Sequence, residues 1–389
     1  MAMSYQVFLE GTLGFVLDTD LLDTGVLGYL LTDVTDSVKS VSFRRGKSTI
    51  IDKFSAGQMT VVFNNNLREF DPNGGGKYAG AIVPRRKIVF FAGQTLSFTK
   101  QWQMFTGYVD DWNFSYDVSG DSEAIASCSD AFTLLSNQQV TLSTPPAELS
   151  SDRIRRVLNT SSVAWPDEYF ANGAAFTMSN ASYSGDALSY IQSVADSERG
   201  YVYVSGFGYL VFQGWNNFSY AETPLTFSDD ISSGTVIPFT SLETTYGTEQ
   251  LYNYVTVTGP AGTVTAQDFT SQQTYQIAAE NFDVVTAGTA QMQLVADFMV
   301  NNYKNPRARV TRVGVSLDNH DLVKAFANDG VKAVLQNDIG STISVSYTPN
   351  AIGSAIVSTG YVIGIEMTAT PERCDMVFSL SGDESRAVA

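Results

Sequence analysis

Histidine occurs once, cysteine twice, and charged residues fill only 16% of the 389 positions. The single histidine, His320, is the residue through which any Ser-His-Asp or Cys-His arrangement has to pass. It stands in "SLDNHDLVKAF" beside Asp318 and Asp321, with no GxSxG elbow in the chain, so it reads as a loop or capping residue at a helix start. Cys128 and Cys374 are far apart and belong to no spaced cluster, which excludes a zinc site or a disulfide framework. They read as two buried, reduced thiols, and neither a metal nor a cofactor is expected.

Basic charge is scarce as well. Only 23 Lys and Arg stand against 40 Asp and Glu, for a net charge of -17. Such a chain does not hold nucleic acid by neutralising phosphates, because that attraction needs clustered cations. An acidic surface repels DNA instead, which is useful wherever DNA must slide past without sticking; solubility accounts for the same charge. Long apolar runs are missing too. The stretch "LGFVLDTDLLDTGVLGYLL" is broken by Asp18, Asp20 and Asp23 and follows no basic region, so it is neither a signal peptide nor a membrane span. The expectation is a soluble protein made in a cytoplasm, without stable membrane insertion.

Other routes to chemistry are equally thin. Asp110 with Asp111, and Asp229 with Asp230, are paired carboxylates in sequence, but neighbours on a strand point to opposite faces, whereas glycoside hydrolysis needs two carboxyls converging from separate elements. They read as turn and edge-strand aspartates. Neither the "GGG" at 74–76 nor the "GKS" at 46–48 has the glycine spacing of a phosphate loop. "SLDNHD" and "FDPNGGGKY" lack calcium-loop spacing. Trp102, Trp112, Trp165 and Trp215 are scattered singly and read as core or interface residues. The chain is not expected to be an enzyme.

What the sequence does have is Thr, Ser, Val, Tyr, Phe and Gly in short alternating runs, the pattern of mainly β structure. The first region, residues 1–145, carries Val38, Val41 and Phe43 in one run and Met59, Val61 and Phe63 in the next. "RRKIVFFAG" follows, and "QMFTGYVDDWNFSY" reads as two short strands about Asp110 and Asp111, in a barrel or sandwich pattern. Pro145 and Pro146 mark a boundary. Residues 146–217 read as a small α+β unit. In it, Ser151 caps a helix facing inward with Ile154, Val157 and Leu158, and a second helix buries Leu188, Ile191 and Val194 or Ala195 before Gly200. A hairpin through Gly206 and Gly208 closes the unit. Residues 218–389 return to β, with a hairpin turning at Gly259 and Pro260 and one longer helix capped by Thr289 and stopped by Pro306. That helix faces inward with Met292, Val295, Phe298 and Met299, and a short helix lies around "DLVKAFAND". Two last strands, alternating through Ile363, Ile365 and Met367 and through Met376, Phe378 and Leu380, each bury one face, ahead of a frayed "GDESRAVA".

One stretch is more specific: "SVSFRRGKSTIIDKFSAGQMTVVFNNNLREFDPNGGGKYAGAIVPRRKIVFFA", followed by "FTGYVDDWNFSY" and "ASCSDAFTLLS". It resembles the opening domain of minor tail proteins of long-tailed bacteriophages, in particular the baseplate hub or tail-tip proteins of actinobacterial siphophages. Arg45, Gly46, Phe54, Ala56, Gly57, Asn64, Arg68, Phe70, Asp71, Pro72, Gly107 and Trp112 fill the positions of that pattern. Asn64, Asn65 and Asn66 leave the register of its single Asn open, and Glu69 stands where a basic residue is usual. The likeness extends through "SGDALSYIQSVADSERGYVYVSGFGYLVF" to the closing strands and carries no catalytic residue with it.

The resemblance implies a structural protein of the virion, assembled in the host cytoplasm. It implies a homotrimeric hub with two β-barrel tube domains per chain and the small α+β unit between them, so that three chains offer six similar barrels to a hexameric ring. Distal tail ring protein, tape-measure protein and tail fibre or other minor tail proteins are the partners it implies, with DNA passing through the channel unbound. A hexameric distal tail ring protein and a receptor- or carbohydrate-binding tail protein are the rival readings; the latter calls for clustered surface aromatics.

Overall fold

The computed structural model describes residues 4–13, 29–73, 75–94, 101–160, 168–170, 176–217 and 224–382. Most of the apolar run at 13–31, Gly74, Trp165 and residues 383–389 of the tail lie outside them. The fold is mainly β, as the alternating runs require.

Seven strands form the first region: β1 (Ser4–Leu13), β2 (Tyr29–Asp33), β3 (Val38–Gly46), β4 (Ser55–Asn64), β5 (Lys87–Gly93), β6 (Gln101–Tyr116) and β7 (Ser122–Ser129). All pair antiparallel in the order β2-β1-β5-β6-β7-β4-β3. Period-two alternation explains the burial. Met59, Val61 and Phe63 line the core from β4 while Gln58, Thr60 and Asn64 are exposed. The segment expected as two short strands about Asp110 and Asp111 is instead one strand of 16 residues, β6. Its register against β7 shifts between Val109 and Asp111, so Asp110 is the extra residue of a β-bulge that interrupts the alternation without ending the strand.

The middle segment holds α1 (Phe132–Ser136), β8 (Gln139–Leu142), β9 (Glu148–Leu149), α2 (Ser150–Thr160), β10 (Glu168–Phe170), β11 (Thr177–Met178), β12 (Tyr183–Asp186), α3 (Ala187–Ser197), β13 (Tyr201–Val204) and β14 (Leu210–Gln213). α2 buries Ile154, Val157 and Leu158, and α3 buries Leu188, Ile191, Val194 and Ala195, each a stripe at helical spacing. Ser151 is not the cap of α2, since the helix already includes Ser150. α3 is capped by Asp186, whose carboxylate accepts from the Ser189 amide at 2.6 Å. β13 and β14 make the expected hairpin, closed where the Ser205 amide donates to the Tyr209 carbonyl at 2.9 Å.

The last segment contains β15 (Leu225–Ser228), β16 (Ile237–Pro238), β17 (Ser241–Thr245), β18 (Tyr254–Gly259), β19 (Gly262–Gln267), α4 (Phe269–Tyr275), β20 (Ala279–Asp283), α5 (Thr289–Tyr303), β21 (Arg309–Ser316), α6 (His320–Asn328), α7 (Gly330–Leu335), β22 (Thr342–Tyr347), β23 (Ile356–Ala369) and β24 (Cys374–Leu380). The β18–β19 hairpin turns through Pro260 and Ala261, with Gly259 opposite Gly262. α5 buries Met292, Val295, Phe298 and Met299; its N-cap is Gly288, and Thr289 is the first helical residue rather than the cap.

β23 organises the molecule. Its first half pairs with β22, and its second half lies between β24 and β3. The first and last β regions therefore share one sheet: Gly364 faces Gly46, Ile365 faces Arg45 and Glu366 faces Arg44. The strand was expected to bury one face, but every residue from Gly360 to Ile365 is buried, because this stretch is covered from both sides. Gly46 adopts φ +90°, and a Cβ there would stand 2.3 Å from the Ile363 carbonyl oxygen, so glycine is required where the two regions join.

Candidate functional site

The residues singled out from the sequence fall into two clusters and a remainder. The first cluster lies at the far end of β4. Phe70 is fully buried and stacks on Phe63 at 4.5 Å and Tyr78 at 4.8 Å between ring centroids, with Trp112 of β6 at 6.3 Å. The loop carrying Phe70 is held by its own polar residues. Arg68, at φ +56°, donates from Nε to Asp71 Oδ2 at 2.9 Å and from Nη2 to the same oxygen, and Asp71 Oδ1 accepts from the Asn73 amide. Pro72 is exposed at the loop surface.

Of the three successive asparagines, the structure makes Asn65 the buried anchor. Its Oδ1 accepts from the Phe70 amide at 3.0 Å, its amide donates to the Ser122 carbonyl and its carbonyl accepts from the Arg68 amide. Asn64 is exposed and only caps the Asn66 amide. Three identical side chains in a row gave no sequence signal for which one would end the alternation and turn inward.

The second cluster is built around Arg45. Alternation along β3 sends Arg44 to the surface and Arg45 inward, after Val41 and Phe43, onto a face where a charge needs partners. Arg45 Nη1 lies 2.9 Å from Asp338 Oδ1 and donates to the Val204 carbonyl at 3.2 Å. The first region, the middle segment and the last segment meet at this guanidinium. Neighbouring bonds serve the same junction: Tyr203 donates to the Ile339 carbonyl at 2.7 Å and Arg199 to the Ile50 carbonyl at 3.2 Å. Phe54 packs against Tyr201 and Tyr203, and Ala56 lies half-buried against the core.

Gly57 explains itself through Asp130. Its amide donates to Asp130 Oδ2 at 2.7 Å, the Asp130 amide donates back to the Gly57 carbonyl at 2.9 Å, and a Cβ would collide with that carboxylate at 2.7 Å. Asp130 is buried; desolvation pushes its carboxyl up to about 7, against the Gly57 and Phe132 amides and Arg45, which favour the ion. Asp130 had no role assigned from sequence, although "SCSDAF" places it two residues before the helix start at Phe132, whose amide it caps at 3.0 Å. Gly107 belongs to neither cluster: it allows the Ser129 carbonyl to approach β6, within 2.5 Å of where a Cβ would stand.

The residues weighed for chemistry lie apart. His320 opens α6 with its side chain 75% exposed, 3.7 Å from Asp321; the helix is capped by Asn319, not by histidine. Asp110 accepts from Ser129 Oγ at 2.5 Å, Asp229 accepts from the Thr348 amide at 2.6 Å and Asp230 from the Ser232 amide at 3.0 Å. The Ser232 hydrogen bonds hold Asp230 below the usual carboxylate range, in a turn. Cys128 and Cys374 are free and buried, and burial pushes both thiols up, away from the reactive thiolate. Among the described residues no His, Cys, Asp and Glu group is arranged to hold a metal ion, and no helix is long and apolar enough to cross a membrane.

The arrangement is thus a set of buried polar staples at a three-way joint. No family model matches the chain, and no curated protein matches its sequence. Solved structures share its fold. A tail protein from Neisseria meningitidis is similar with a TM-score of 0.59 at 12% identity, over 97% of this chain and 96% of that one. The 43 kDa tail protein of prophage MuSo2 from Shewanella oneidensis gives 0.56 at 11% identity, over 96% and 98%. The E. coli c3393 protein, described as a type VI secretion component similar in structure to the T4 tail proteins gp27 and gp5, gives 0.52 at 9% identity, over 91% and 75%.

Proposed function

We propose that this chain is a structural, non-enzymatic component of a bacteriophage tail tip: a homotrimeric baseplate hub of the siphophage type. The observation that carries the proposal is the pairing of β3 with β23. It sets two β regions of one chain side by side in a continuous sheet; in this reading each chain supplies two adjacent arcs of a ring, and three chains supply six. In this reading residues 1–145 and 218–389 are the two tube domains and residues 146–217 hang beside their seam. The fold shared with two tail proteins, and with a type VI secretion component likened to gp27 and gp5, supports the reading.

The hub caps the tail tube, contacts the distal tail ring and tape-measure proteins above and fibre or other minor tail proteins below, and is assembled in the host cytoplasm into the virion. DNA passes through its channel unbound, and the net charge of -17 suits a wall that repels phosphate. Light scattering on the purified protein, with its position in tail particles by cryo-electron microscopy, tests this. A threefold ring at the tip supports the hub. A sixfold ring transfers the chain to the distal tail ring, a monomer off the tail axis removes it from both, and a neutral or basic channel wall removes the role given to charge.

A further inference from the structure

Two pockets meet along the seam between β3 and β23. One, of about 310 Å³, is lined by Arg44, Arg45, Lys47, Lys53, Asp52 and Glu366 among others. The second, of about 400 Å³, shares Arg44 and Glu366 and continues over Ser42, Gln58, Thr60 and Thr368. Because they share two residues, they form one groove with a basic end and a hydroxyl- and amide-lined floor.

The charges in this groove do not cancel. Glu366 is paired with Arg312 at 2.6 Å and Arg45 with Asp338 at 2.9 Å, which leaves Arg44, Lys47 and Lys53 against the carboxylate of Asp52 among the lining residues. Arg44, which is exposed, has only the neutral Gln58 Oε1 at 3.0 Å as a hydrogen-bond partner among the described residues. Lys53 is 59% exposed and 3.8 Å from Asp196, too long for a tight pair. Lys47 lies over the Phe54 and Tyr201 rings and donates to the neutral Ile50 carbonyl at 3.0 Å, so its charge is not paired by that bond. Positive charge is concentrated here in a chain whose net charge is -17.

We propose that this groove binds a short acidic segment of polypeptide in extended conformation, its carboxylates on Arg44 and Lys53 and its backbone over the polar floor. Arg44 offers a carboxylate the forked donor geometry it accepts best. The stretch from Ser42 to Gly46 spans about 13 Å, the length of about four extended residues. Nucleic acid fits less well. A long polyanion reaches beyond the groove onto a surface of its own sign, whereas a segment of a few residues feels only the charges within about 8 Å, the screening distance at physiological salt. That the segment belongs to a neighbouring tail component rests on the function proposed above; the binding chemistry does not.

Fluorescence anisotropy of labelled octaglutamate titrated with the intact protein at low salt tests the proposal, independently of oligomeric state or position in a tail. Binding is expected, weakened by added salt and at least tenfold weaker in R44E/K53E, with the remote exposed charge reversal K324E unchanged. R44Q/K53Q, judged folded by circular dichroism, replaces the reversal variant if that one unfolds. Absence of binding overturns the proposal. So does an equal loss in K324E, which reports general attraction only, or equal binding of octaglutamine. Tighter binding of a single-stranded oligonucleotide of equal charge also overturns it, by assigning the groove to phosphate.

Discussion

The guanidinium of Arg45 lies 2.9 Å from the carboxylate of Asp338, a bond between the first β region and the last. The same Nη1 holds the Val204 carbonyl, so one side chain secures three parts of the chain. Replacing Arg45 by Met keeps its apolar stem but strands both acceptors. Breaking a fully buried pair costs about 3–5 kcal/mol. Asp338 is a third exposed, and water recovers part of its loss, so R45M is expected to cost about 2–4 kcal/mol. A urea midpoint checks this, and an R45M midpoint equal to wild type contradicts the role given to the junction.

Asp130 supplies the pH dependence of this joint. Its carboxyl titrates near 7 in the folded chain against an ordinary 3.8, so the native state holds the proton to higher pH than the unfolded state does. Its contribution is fully present below about pH 4 and is lost as pH rises through about 7. Stability measured relative to D130N is therefore expected to fall across that window. A difference between the two proteins that stays flat, or rises with pH, shows that Asp130 remains ionised in the fold.

Arg153 and Arg156 share the partner Glu148 but are expected to behave differently. Arg153 is fully buried and donates to Glu148, Tyr190, Pro146 O and Ser179 O at 2.7–2.8 Å. Arg156 is exposed, although it is first among the groups holding Glu148 below the usual carboxylate range, ahead of Arg153. R153M is expected to cost about 3–5 kcal/mol and to expose the 146–217 segment first to proteolysis. R156A is expected to leave the midpoint close to wild type. Equal effects would mean that burial is not what distinguishes them.

Gly46 carries the sharpest steric constraint at the seam. G46A forces alanine into left-handed backbone, costing about 1–3 kcal/mol by itself, before its Cβ meets the Ile363 carbonyl. Hydrogen exchange is expected to rise along β23 in this variant more than along β5. Uniform exchange in the two strands contradicts a localised seam.

The sequence reading succeeded where the information is local. Val41 and Phe43, Met59 to Phe63, and the Met292, Val295, Phe298 and Met299 stripe all follow the period of their own element. The β18–β19 hairpin is equally local, although its turn falls one residue on, at Pro260 and Ala261. It failed at the caps, where α2 already includes Ser150 and Ser151, and where Gly288 rather than Thr289 caps α5. It also missed the bulge at Asp110, which changes the phase of alternation without any Gly or Pro to mark it.

The junction was legible only in part. Arg45, Gly46, Phe54 and Gly57 were singled out, but their partners Asp338, Val204, Ile363, Tyr201 and Asp130 stand far from them in the sequence. Nothing within a strand states which distant strand will lie beside it. The double-sided burial of Gly360 to Ile365 has the same origin, since it depends on what covers the sheet.

The position of β23 in the chain also sets an order of events during synthesis. β3 is made before its partner β23, and all of β4 to β22 is synthesised between them. Until then the edge of β3 that β23 will cover has no strand beside it, with its backbone donors and acceptors open to other chains. A message truncated shortly before β23 would therefore yield aggregates rather than a shortened soluble chain, and the nascent chain needs this edge protected until β23 is made.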